Sequence, residues 1–287
     1  MNYLITPNKY PFHKGGVPYY NHLLEKYLNV KLVTLQDCFV DGKNEIDLAI
    51  NLNKKAKSFI PKGSTIIGDG IWGNVGFNSD EYRLVSLCHG LWSRAVGLGS
   101  SLSETQKKGY QRSEIVVACS RFSQLCITQD YHCESNLIPT MVEPDIWKEE
   151  TQQREGVLLL KKNGWGINHW NDLVEKNFPT IIMDTYEDKK LVELYSKARC
   201  FVHLTAYEGN SFAVLKALSC NCPVVSTGVG LFGELSSGFH KVGVWVCDKE
   251  GDVKDGVDFF TTHSCNTDKS ICNDFKRFVE QWKKILE

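Results

Sequence analysis

Short apolar runs alternate with stretches of helical periodicity from one end of the chain to the other. NYLIT at 2–6 reads as a strand that stops at Pro7, and YYNHLLEKYL then sets Tyr19, Leu23, Leu24, Tyr27 and Leu28 at helical spacing. VKLVTL, IDLAINL, STIIG, RLVSLCH and EIVVACS each read as a further strand, and a helix follows near 121–131. Past the polar stretch KEETQQREG the alternation starts again. VLLLKK, TIIMDT, CFVHLT, PVVST and GVWVC read as strands, with helices at DKKLVELYSKA and SFAVLKALS. KSICNDFKRFVEQWKKILE closes the chain as one amphipathic helix, with Ile271, Phe275, Phe278, Val279, Trp282 and Leu286 on a shared face.

Strands separated by helices and tipped with glycines predict an α/β protein with doubly wound parallel sheets. The polar stretch at 148–156 marks the expected boundary. This gives two Rossmann-like domains, 1–150 and 151–287, facing each other across a cleft, with the last helix able to pack back on the first. No G-x-G-x-x-G follows the first strand, which argues against a dinucleotide enzyme.

Composition narrows the partners. The chain has 287 residues, 42% of them hydrophobic and 23% charged, so it can build a sizeable core. A formal net charge of -1 and a pI near 6.7 argue against a protein held to its partner by a strongly basic surface, although a local basic patch does not show in the sum. No basic segment followed by a long apolar run opens the sequence, and no run of 18 apolar residues occurs, so a cytoplasmic protein is expected. The eleven cysteines then read as reduced thiols. Cys220 and Cys222 lack zinc-type spacing and are expected to be small buried residues; no metal and no cofactor is expected.

The segment YEGNSFAVLKALSCNCPVVSTGVG at 207–230 carries the chemistry. Strand CFVHLT, a tight loop, helix SFAVLKALS and strand CPVVST make a βαβ unit, whose ligands sit at the carboxyl ends of the strands. Gly209 lets backbone approach a ligand, and Asn210 or Ser211 can cap the helix. The free amides of its first turn suit a phosphate. Glu208, just before them, suits the hydroxyls of a sugar. Phosphate and polyol together point to a nucleotide sugar.

The stretch ARCFVHLTAYEGNSFAVLKALSCNCPVVSTGVG at 198–230 resembles the donor-site signature of glycosyltransferase family 4, retaining enzymes of the GT-B fold. PFHKGGVPYYNHLLEKYL is similar to that family's glycine-rich first loop, RLVSLCHG to its strand ending in His-Gly, and EIVVACSRFSQLCI to a strand and helix late in its first domain. The resemblance implies that Glu208 contacts the donor sugar and that the amides around Asn210, Ser211 and Phe212 hold the diphosphate. It also implies that Gly15 and Gly16 let the first domain approach the donor phosphates or the acceptor. His89 would lie near the reacting centre. The family's metal-independent chemistry agrees with the absence of any D-x-D triplet.

The sequence departs from that family twice. The second glutamate, eight residues after the first, is replaced by Lys216, a cation that cannot accept a ribose hydroxyl. The basic pair after the first strand of the second domain has no clear counterpart. Lys161 or Lys162 can substitute for one member, and Trp165 stands where a lysine is usual. Trp72 and Trp92, in glycine-containing loops, are candidate platforms for an acceptor. The reading is therefore a hexosyl- or pentosyltransferase acting on a hydroxyl acceptor: a glycan, a small molecule or a modified DNA base. The alternatives are a phage-type DNA glycosyltransferase that stacks a flipped hydroxylated base and a non-catalytic GT-B-like protein that only binds a nucleotide sugar.

Overall fold

The computed structural model describes the chain apart from residues 11–14, 74, 152, 161–166 and 186. It divides into two compact units, Met1–Pro139 with Arg277–Glu287, and Thr140–Lys276. The division falls before the polar stretch at 148–156, which lies inside the second unit.

The first unit is built on six strands: β1 (Asn2–Ile5), β2 (Lys31–Val33), β3 (Thr65–Asp69), β4 (Arg83–Cys88), β5 (Ile115–Ala118) and β6 (Asn136–Leu137), in the order β2-β1-β3-β4-β5-β6. Every pairing in this sheet is parallel. Period-two alternation sends Tyr3, Ile5, Ile66 and Leu84 into one buried cluster with Leu52, Ala56 and Phe77. The second unit uses β7 (Val157–Leu159), β8 (Thr180–Ile182), β9 (Cys200–His203), β10 (Val224–Thr227), β11 (Gly238–His240) and β12 (Val244–Cys247), in the order β11-β12-β10-β9-β7-β8. Only the β11–β12 pairing is antiparallel among the described residues.

Two sequence expectations are corrected. IDLAINL is not a strand but part of the helix Glu45–Lys57. Asn44 caps it, its Oδ1 accepting from the Asp47 amide at 2.9 Å, and the buried residues Ala49, Leu52, Asn53 and Ala56 follow helical spacing. The closing segment is not one helix but two, Ser270–Asn273 and Phe275–Leu286. The carbonyl of Cys272, which a continuous helix would offer to residue 276, instead accepts from the Val142 amide at 3.1 Å. Of the expected face, Phe278 and Trp282 are buried, and the Trp282 indole donates to the Tyr20 hydroxyl at 2.8 Å within the first unit.

No helix among the described residues is long and apolar enough to cross a membrane. All eleven cysteines are free thiols. Burial raises the pKa of Cys222, and Cys220 is raised as well.

Candidate functional site

In the second unit, the loop after β9 is tied to the end of β10. Thr227 Oγ1 donates to the Thr205 carbonyl at 2.6 Å, and Ser226 Oγ donates to the His203 carbonyl at 3.1 Å. Thr205 Oγ1 donates onward to the Tyr207 carbonyl at 2.9 Å. These bonds fix the approach to Glu208. Ser211 is the cap of the helix Phe212–Ser219, its hydroxyl accepting from the Val214 amide. The same hydroxyl lies 3.3 Å from His203 Nε2, and Glu208 Oε2 lies 3.8 Å from that nitrogen. His203, Glu208, Ser211, Ser226 and Phe232 line one narrow recess at the carboxyl end of the sheet. His203 is 2% exposed and Glu208 21%, so a buried imidazole stands behind a carboxylate that solvent can reach.

Lys216 is 9% exposed, a nearly buried lysine in mid-helix. Its ammonium lies 3.3 Å from Asp188 Oδ1 and 3.9 Å above the Trp147 ring. Burial lowers its pKa, against the opposing pull of Asp188. Lys161, Lys162 and Trp165 lie outside the described residues.

In the first unit, the ends of three adjacent strands converge. Thr6 follows β1, Asp69 ends β3 and His89 follows β4, with Asn21 brought alongside on the helix Gly16–Leu28. The strand order changes direction between β1 and β3, and open parallel sheets bind ligands at such a point. Asp69 Oδ2 accepts from Thr6 Oγ1 at 2.8 Å and from Asn21 Nδ2 at 3.0 Å. His89 Nε2 lies 3.4 Å from Asn21 Oδ1 and 3.8 Å from Asp69 Oδ1. The Tyr20 ring meets the imidazole edge to face at 4.7 Å. Burial lowers the His89 pKa, with Asp69 opposing. The turn after β3 needs a glycine: a Cβ on Gly73 would sit 2.1 Å from the Gly68 Cα.

Gly15 is extended, and a Cβ there would meet only the Pro18 Cδ at 3.8 Å. Among the described residues, nothing within the unit requires glycine at that position. Trp72 packs half-buried against the core cluster of the first sheet, and its carbonyl accepts from the Asn53 amide group. Trp92 opens the helix Trp92–Val96, and its own amide donates to Gln106 Oε1 at 2.9 Å. Asp69, Asn21, Thr6, His203 and Asp188 were not visible as site residues in the sequence. Only Asp69, a carboxylate between glycines at the end of an apolar strand, left a signal.

Residues 163–258 match the family model described as Glycosyl transferases group 1. Sucrose-phosphate synthase from Thermosynechococcus elongatus superposes with a TM-score of 0.70 at 12% identity, over 99% of this chain and 94% of that one. The fold is GT-B. Anabaena HepE, solved with UDP and glucose, gives 0.67 at 13% identity over 99% and 98%. WaaG, a glycosyltransferase involved in lipopolysaccharide biosynthesis, gives 0.65 at 10% identity over 99% and 95%. No curated protein matches the sequence.

Proposed function

We propose that the protein transfers a sugar, hexose or pentose, from a nucleotide-sugar donor to a hydroxyl acceptor, with retention of configuration and without a metal ion. One observation carries this reading. Glu208 and the capped N-terminus of the helix Phe212–Ser219 stand together at the carboxyl end of the second sheet, inside the stretch that matches the glycosyltransferase model. In this reading Glu208 accepts from donor sugar hydroxyls, while the amides around Gly209, Asn210, Ser211 and Phe212 take the diphosphate. Lys216, partly neutralised by Asp188, borders the donor phosphate or base, and Lys161 or Lys162 adds a cation. Gly15 and Gly16 serve the donor phosphates or the acceptor, and His89 serves the reacting centre. Catalysis is then positioning and electrostatics, with no protein nucleophile.

A second reading, a nucleotide-sugar binder without turnover, is favoured by the engagement of Lys216 with Asp188. The test is a thermal-shift panel of nucleoside diphosphates and their sugars, beginning with UDP and UDP-glucose because HepE was solved with them. A ligand at 100 times its Kd adds about 2.7 kcal/mol. A shift abolished by Glu208→Ala supports the donor site, and release of free sugar or a glycoside then separates enzyme from binder. No shift with any nucleotide overturns both readings.

A further inference from the structure

The cluster in the first unit contains a hydrogen-bond chain whose directions can be read from its chemistry. Asp69 is acceptor-only when ionised, and its Oδ2 takes Thr6 Oγ1 at 2.8 Å and Asn21 Nδ2 at 3.0 Å. The NH2 group of Asn21 is therefore committed to the carboxylate, with a second contact to Thr6 Oγ1 at 3.0 Å. Its other amide atom, Oδ1, must then face His89 Nε2 at 3.4 Å. An amide oxygen can only accept, so the imidazole has to donate there. Asp69 Oδ1, 3.8 Å from the same nitrogen, adds a negative charge on that side and favours the same arrangement.

We infer that Asp69 and Asn21 lock His89 as its Nε2–H tautomer, so that Nδ1 offers a lone pair to a hydroxyl of the bound ligand. Nδ1 has no partner among the described residues. The ring cannot readily turn to exchange its two nitrogens, because Tyr20 stands edge-on to it at 4.7 Å and the Trp282 indole holds the Tyr20 hydroxyl. The groups around the imidazole are Asp69 at the end of β3, Asn21 and Tyr20 on the helix Gly16–Leu28, and Cys119 after β5, whose thiol reaches the His89 carbonyl at 3.9 Å. Burial disfavours the imidazolium, with Asp69 opposing, and a neutral ring carries one donor and one acceptor. Asp69, Asn21 and Thr6 are positioning residues, and they act on the ligand through His89. The identity of the ligand group as a sugar hydroxyl rests on the function proposed above, whereas the tautomer does not.

The experiment is long-range 1H–15N correlation on protein labelled at histidine nitrogen, near pH 7.5, where an unperturbed imidazole is neutral. The His89 ring is assigned as the pattern missing from His89→Gln. A pyrrole-type Nε2 with a pyridine-type Nδ1 is expected; a protonated Nδ1, alone or with Nε2, overturns the inference. Asp69→Asn keeps the shape of the side chain but can itself donate, which frees the Asn21 amide to turn over. It is expected to convert the single tautomer into a mixture or the reverse form. An unchanged tautomer there removes Asp69 from the role, and since the wild-type spectrum is read independently, a misfolded variant does not decide the matter. UDP-glucose is the ligand probe. If it binds by thermal shift and moves the Nδ1 resonance, the hydroxyl contact stands; if it binds and Nδ1 stays fixed, that contact is overturned. Failure of UDP-glucose to bind at all counts against the donor reading and leaves the tautomer to its own spectrum.

Discussion

Gly230 sits with φ +60° directly behind Glu208, and a Cβ at that position would stand 3.2 Å from the Glu208 carbonyl oxygen and 3.4 Å from its Cβ and Cγ. The second glycine turn of the 207–230 segment is thus a backstop for the carboxylate proposed to bind the donor sugar. Gly230→Ala is expected to cost about 1 kcal/mol through the left-handed backbone and to push the Glu208 loop out of place. Donor affinity, measured by calorimetry against UDP-glucose, should fall by more than the stability loss implies. Unchanged affinity in a folded variant would show that Glu208 does not need this support.

Lys216 and Asp188 form a partly buried ion pair in the second unit. The lysine is nearly buried and lies over Trp147, while Asp188 is 23% exposed. Removing the ammonium with Lys216→Met leaves a half-screened carboxylate, for an expected cost of about 1–2 kcal/mol. Asp188→Asn leaves a buried cation instead. A double-mutant cycle in urea should return a coupling of about 1 kcal/mol. Additive effects would mean that the two side chains do not stabilise the fold through each other.

Much of the architecture was legible because parallel strands buried on both faces read as short apolar runs bounded by glycine, proline or charge. Ile66-Ile67 and Val116-Val117 are examples. The same compactness misleads at IDLAINL, where seven residues cannot separate a strand from one face of a helix and the deciding signal was the cap at Asn44. The candidate site divides in the same way. Glu208, Ser211 and Gly230 are close in sequence, so their motif showed. Thr6, Asn21, Asp69 and His89 come from four separate elements, and only the strand order brings them together. Lys216 showed as a missing carboxylate, but its partner Asp188 lies 28 residues away on another helix.

Trp282 ties the last helix into the first unit. Its side chain is fully buried and its indole donates to Tyr20, which in turn flanks His89. Trp282→Ala removes a large side chain and one buried hydrogen bond, with an expected loss of about 3–5 kcal/mol. Trp282→Phe keeps most of the volume and leaves the Tyr20 hydroxyl without that donor, so the smaller loss isolates the hydrogen bond. Urea denaturation followed by circular dichroism checks both. A loss below that of Trp282→Phe in the alanine variant would contradict the packing.

His89 makes the stability of the first unit depend on pH in a definite direction. Its folded pKa is held below the usual 6.5, mainly by burial, so on acidification the unfolded chain takes up a proton before the folded one does. Unfolding free energy therefore falls as pH drops through about 6.5, with a slope of up to about 1.4 kcal/mol per pH unit for one proton. Above that pH the contribution is fully present. His89→Gln cannot take up this proton, so the stability difference between wild type and variant should shrink by about 1 kcal/mol between pH 7 and pH 5.5 in paired urea titrations. A difference that widens on acidification would mean that Asp69 stabilises an imidazolium. It would also mean that the neutral ring required for a free Nδ1 lone pair is not the resting state.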